Sequence, residues 1–193
     1  MIFKLESISF NDNETIPSKY TCDEKNISPS LEWKNFPTGT NSFAIIVDSI
    51  AAYGSAWNHW IIYNIPVEIN KLEEGIAALP KPAKLGVNSW KTKKYYGFCQ
   101  PGEEHYYYFK LYALNDMLKL HHRASIYNIK KAIEPHIITK TMLMGRCNPI
   151  AIKQIPQHKQ DIMDAITIIR KKDVNQSIKK RALQEIEEDA LES

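Results

Sequence analysis

Three apolar runs rich in β-branched and aromatic residues, Phe43 to Val47, His59 to Ile65 and His105 to Leu114, are parted by long loops. Runs of this composition pair as strands, and long separations along the chain make that pairing non-local. The expected fold is therefore mainly β, an antiparallel β-sandwich with its chemistry on loops and strand ends. The first run ends in Asp48, and the second stops at Pro66, which has no N–H to give a sheet ladder. Residues 2–10 suit an edge strand. Residues 67–100, punctuated by Gly75, Pro80, Pro82, Gly86 and Gly97, are loop-rich.

Past the third run the character turns helical. Ser125 fits an N-cap for a helix from Ile126 to Glu134, Pro135 ends or kinks it, and His136 to Met144 reads as a further turn before Gly145. Met142 and Met144 read as core filler. From Gln157 on, Ile162, Ile166 and Ile169, then Ile178, Ala182 and Ile186, recur at helical spacing, with a break near Asp173 to Asn175. The expected organisation is one sandwich domain over residues 1–155 and an added C-terminal helical segment over 156–193.

Composition mainly excludes. The 193 residues carry a formal charge of +3, from 25 basic and 22 acidic side chains that are interspersed. That is no basic stripe for nucleic acid, and Lys91 to Lys94, the densest early cluster, reads as a solvated face. Cys22, Cys99 and Cys147 are an odd, widely spaced set. They argue against a zinc knuckle and a disulfide framework, and for a reducing compartment. Met1 to Ser7 is not a charged leader with an apolar run, and no stretch approaches the roughly 18 apolar residues of a membrane span. A cytoplasmic protein with no membrane span is expected.

On a strand, alternate residues share a face. That count sets His105 and Tyr107 with Phe109 and Leu111, His59 with Ile61, Tyr63 and Ile65, and Asp48 with Ile46 and Ala44. Asp48, His59, His105 and Tyr107 can then gather at one rim. Two imidazoles and a phenol offer donors to an oxyanion without a permanent buried charge. Asp48 would accept from a ring N–H of His59, fixing its tautomer and favouring imidazolium as a phosphate approaches. Plainer readings compete: a single histidine at a strand end is usually structural, Asp48 alone could cap a turn, and Tyr106, Tyr108 and Tyr112 are sheet-packing aromatics. No HxD or HExxH spacing points to a metal, and no cofactor is expected. A nucleophilic Cys99 beside His105 lacks a helix N-terminus to favour its thiolate.

Further motifs carry a resemblance. Tyr20-Thr21-Cys22-Asp23, Asn26-Ile27-Ser28-Pro29, Leu31-Glu32-Trp33, Trp57 through Pro66, Glu74-Gly75, Gly86-Val87-Asn88 and His105 through Leu114 follow in an order and spacing that resemble the phosphatidylethanolamine-binding protein family. The bacterial and archaeal Raf-kinase-inhibitor-like branch is the nearest likeness, over roughly residues 1–150. The resemblance implies a sandwich with a small anion pocket at one end. By position it sets Asp48 on the first acid of the family's Asp-Pro-Asp-Ala-Pro loop, His59 on its pocket histidine, His105 and Tyr107 on its His-Arg-Tyr motif, and Trp57 and Pro101 on the pocket wall. This chain departs from the pattern at Asp48-Ser49-Ile50-Ala51-Ala52, at Gly97-Phe98-Cys99-Gln100-Pro101 and at Tyr106. With one acid retained, a cationic head group has weaker support than in typical members.

The resulting expectation is a non-catalytic binding and regulatory protein. Its rim of Asp48, Trp57, His59, Pro101, His105 and Tyr107 would hold the phosphate-like or carboxylate group of a phospholipid head, a metabolite or a phosphorylated side chain. Modulation of a kinase or other partner, and homodimerisation, are implications of the resemblance. The alternatives are a hydrolase using the histidines as acid and base, or an interaction module acting through the C-terminal helices.

Overall fold

The structure is a computed structural model and describes residues 2–22, 24–50, 56–97, 105–121 and 124–147. These all lie in one compact unit, Met1–Ile150. The helical segment expected over 156–193 falls outside the described residues.

Two sheets form the body. Strands β1 (Lys4–Glu6), β3 (Leu31–Lys34) and β6 (Lys71–Leu72) make a small antiparallel sheet in the order β1-β3-β6, so β1 is the edge strand that residues 2–10 suggested. The larger sheet has the order β2-β9-β8-β4-β5-β7. Its members are β2 (Glu14–Thr15), β4 (Ser42–Ile50), β5 (Ala56–Pro66), β7 (Lys84–Leu85), β8 (His105–Leu114) and β9 (Ile137–Cys147). All its pairings are antiparallel except the two-residue β2–β9 contact.

The sandwich follows from side-chain parity. Phe43, Ile45 and Val47 of β4 and Phe109 and Leu111 of β8 point to the small sheet, where Leu5, Leu31, Trp33 and Leu72 complete a buried core. The residues between them, Ala44 and Ile46, point outward and are covered by helix α1 (Ile126–Ile133) through Ile129 and Ile133. Ser125 caps that helix as its sequence suggests, its hydroxyl accepting from Asn128 N in a capping box. Gly86 permits the close fit, since a Cβ there would lie 2.7 Å from both Ile129 Cδ1 and Ile61 Cγ2.

Two expectations are overturned. His136 to Met144 is not a helical turn: after a 3-10 turn at Glu134–His136, β9 runs as an 11-residue strand beside β8, from Leu114↔Ile137 to His105↔Cys147. Pairing with β8 outweighs the helix propensity of Lys140, Met142 and Leu143, and Ile137-Ile138-Thr139 is β-branched. Met142 consequently points outward and is exposed. Second, Cys22 is disulfide-bonded, whereas Cys147 is a buried thiol. Cysteine usage therefore no longer argues for a reducing compartment. Among the described residues no helix is long and apolar enough to cross a membrane.

Candidate functional site

The pairing of β4 with β5 slips by one residue near its far end: Val47 faces Trp60, but Asp48 faces Asn58. His59 is the extra residue of a β-bulge. Strict alternation would set it outward with Ile61 and Tyr63, but the bulge turns it to the inner face, because a bulge places two successive residues on one side. A second slip, between Phe43 and Ile45, passes through Asn64 at φ 59° and returns Ile65 to the inner core.

On that inner face one row crosses four strands: Trp57 of β5, Ser49 of β4, Tyr107 of β8 and Gly145 of β9 are successive cross-strand partners. His59 joins the row, its ring centroid 4.6 Å from that of Tyr107 and its Nε2 2.8 Å from Ser49 Oγ. Gly145 leaves space that Phe10 and Ile16 fill; a Cβ there would lie 2.5 Å from Ile16 Cγ1. His105 opens β8 two residues before Tyr107, on the same face and half-buried. Pro101 lies outside the described residues.

The histidine's state follows from its partners. His59 Nδ1 is 2.9 Å from the Tyr96 carbonyl oxygen, which can only accept, so Nδ1 carries the proton. Nε2 is then the acceptor, and Ser49 donates its hydroxyl to it. Burial disfavours the charged ring and takes its pKa from 6.5 down to about 4, against a smaller upward pull from the Tyr96 carbonyl. At neutral pH His59 is a neutral imidazole, not the imidazolium that an Asp48 partner was expected to favour.

An aromatic wall closes the edge of the row. Trp57, 44% exposed, meets Trp90 edge to face at 5.3 Å between centroids, and Trp90 stacks on Tyr96 at 4.3 Å and approaches the His59 ring at 5.2 Å. Asn88 organises the loop that carries Trp90. Its Oδ1 accepts from Trp90 N (3.1 Å), Thr92 N (3.0 Å) and Thr92 Oγ1 (3.1 Å), and its Nδ2 donates to Lys94 O (3.0 Å). The loop is laced to β5 by Ser89 N to Asn58 O and Tyr96 N to His59 O. Ser49, Asn88, Trp90 and Tyr96 were not singled out from sequence as site residues. Asn88 two residues past Gly86 carried a turn signal, since asparagine side chains bond nearby backbone; the other three carried none.

Asp48 stands apart. It shares the outer face with Ala44 and Ile46, is 1% exposed, and both its oxygens accept from Lys110 Nζ, at 2.7 and 2.8 Å. The hydrogen bond expected between Asp48 and His59 is thus replaced, because the bulge sends the two side chains to opposite faces of β4 and β5. Lys110 Nζ also lies 5.5 Å from the centroid of the Tyr108 ring. Among the described residues no three of His, Cys, Asp or Glu are grouped to hold a metal ion.

Residues 6–148 match the profile of the phosphatidylethanolamine-binding protein family. A UPF0098 protein of Methanothermobacter thermautotrophicus is 40% identical over 144 residues, which cover 73% of this chain and 95% of the relative. The crystal structure of a phosphatidylethanolamine-binding protein homolog from Chlamydia trachomatis superimposes with a TM-score of 0.71 at 31% identity, covering 77% of this chain and 98% of that one. Escherichia coli YbcL, described as a member of the mammalian family, gives 0.72 at 27% identity, covering 77% and 99%. The matched stretch contains the whole large sheet, strands β3 and β6 of the small one, the bulged histidine and the row beside it, and the chain belongs to the phosphatidylethanolamine-binding protein family.

Proposed function

We propose that the protein is a binding module whose rim, formed by Ser49, His59, His105 and Tyr107 with Trp57 and Trp90 as walls, takes a small oxyanion, phosphate-like or carboxylate. The observation that carries this reading is the neutral, tautomer-fixed His59 held between Ser49 and the Tyr96 carbonyl beside the Tyr107 ring. Ser49 and His59 spend their protons on each other and on the Tyr96 carbonyl and so hold the row in place, while the Tyr107 phenol and the His105 imidazole supply donors to an anion with no buried charge to desolvate. The exposed Lys91, Lys93 and Lys94 on the Trp90 loop add long-range attraction. Asp48 belongs to the proposal only as the anchor of Lys110 on the other face. The anion would be borne by a phospholipid head, a metabolite or a phosphorylated side chain. The regulatory role proposed is occupation of a partner's phosphorylated segment, with homodimerisation as a further mode.

Calorimetric titration of the full chain with inorganic phosphate, phosphoethanolamine, phosphoserine and acetate tests this. Saturable heat with at least one, lost in His105→Ala and Tyr107→Phe, supports the proposal. Heat that survives both substitutions overturns the assignment.

One observation favours a hydrolase. Ser49 Oγ and His59 Nε2 lie 2.8 Å apart, with the ring oriented by a third group, the arrangement of a nucleophile and its base. Both side chains are buried, and a base with a pKa of about 4 is poorly matched to neutral pH, so binding is preferred. Ester turnover abolished by Ser49→Ala would reverse that preference.

A further inference from the structure

A groove of about 500 Å³ lies between α1 and the outer face of the large sheet. It is separated from the His59 rim by the sheet itself, since Ile46 on its floor points outward while Ile45 and Val47 point into the sandwich. We propose that this groove is a second ligand site, for a single-chain amphiphilic anion such as a fatty-acid carboxylate.

The groove has two chemistries side by side. Its floor and walls are apolar, built from Ile46, Ile133, Ile137 and the Tyr112 ring, and Tyr127, 70% exposed, stands at its lip. Its rim is cationic: Lys130 and Lys131 come from the last turn of α1 and Lys140 from β9, against the single acid Glu134. Among the described residues none of these lysines is in an ion pair. Lysines at a helix C-terminus complement its dipole, but Lys140 sits on a strand and has no such role.

An inorganic anion would leave the apolar floor unused, and a neutral alkyl chain would leave the lysines unused. A molecule with a carboxylate at one end of an alkyl chain uses both. The volume falls within the roughly 300–1,000 Å³ typical of small-molecule sites. A folded partner would need a contact of about 1,000 Å² or more, which asks for a broader face than this groove.

The test uses the full chain with ¹³C-labelled isoleucine methyls, titrated with decanoate below its micellar concentration, and with 1-decanol and inorganic phosphate as comparators. Decanoate is expected to shift the Ile46, Ile133 and Ile137 methyls saturably, and Lys130→Glu/Lys140→Glu is expected to weaken binding by about tenfold while the methyl spectrum stays folded. Equal binding of decanol, an equal response to phosphate, or no loss in the charge-reversed variant overturns the proposal. So does methyl broadening that grows with protein concentration alone, the signature of a second copy on this face. Because the rim is read by phosphate at His105 and Tyr107, failure of either site leaves the other standing.

Discussion

Ser49 Oγ donates to His59 Nε2 across 2.8 Å, from adjacent strands joined out of step by a one-residue bulge. That bond exists because the bulge carries His59 to the inner face. In strict register Ser49 would face Asn58 in place of Trp57, and His59 would lie opposite Asp48 and point toward α1 with Ile61.

Stability should fall in acid through His59. The unfolded chain takes up this proton near pH 6.5, and the folded protein only near 4, so below 6.5 the unfolded state binds more protons. Stability is unaffected by this group above pH 7 and drops by roughly 3 kcal/mol as pH falls from about 6.5 to about 4. Urea unfolding at a series of pH values measures it, and His59→Asn should remove most of that slope.

The Asp48 pair makes a separate prediction. Lys110→Met strands a buried carboxylate and should cost about 2–3 kcal/mol, less than a fully enclosed pair because the Lys110 side chain is 32% exposed. Adding Asp48→Asn should recover most of that loss. Denaturant midpoints of the two single variants and the double variant decide it.

Asn88→Ala should unfasten the wall. Losing the bonds to Trp90, Thr92 and Lys94 is expected to lower stability by about 2 kcal/mol and to change the near-ultraviolet circular dichroism of the Trp90–Tyr96 stack. Phosphate affinity should weaken with it.

Thiol titration checks the cysteines. With Cys22 in a disulfide and Cys147 a thiol, denatured unreduced protein should show one reactive thiol, and reduced protein all three. Three thiols before reduction would contradict the disulfide.

Strand β8 was legible to the residue because aromatic side chains crowd it, Tyr106 through Phe109 and again Tyr112, and α1 was legible through Ser125 and Pro135. Strand β9 was not, because lysine, methionine and leucine suit a helix equally and only the presence of β8 alongside decides. The site was half legible: His59, His105 and Tyr107 reach the expected face, yet for His59 the alternation count alone pointed the other way. A bulge of one residue leaves no mark in composition, and it reverses every orientation read by counting. Asp48 shows the other side of the same error, since its own parity was read correctly and only its supposed partner had moved.

The central claim is that the inner-face row beside His59 is where an anion sits. Side-chain NMR of the histidine rings and the Trp57 and Trp90 indoles, followed while inorganic phosphate is added at neutral pH, tests it most directly. The expected result is a saturable shift of His105 and Trp57 in the millimolar range, with His59 perturbed but still protonated only at Nδ1. Unmoved rings at His105, Trp57 and Trp90, with shifts confined to surface lysines, would contradict it.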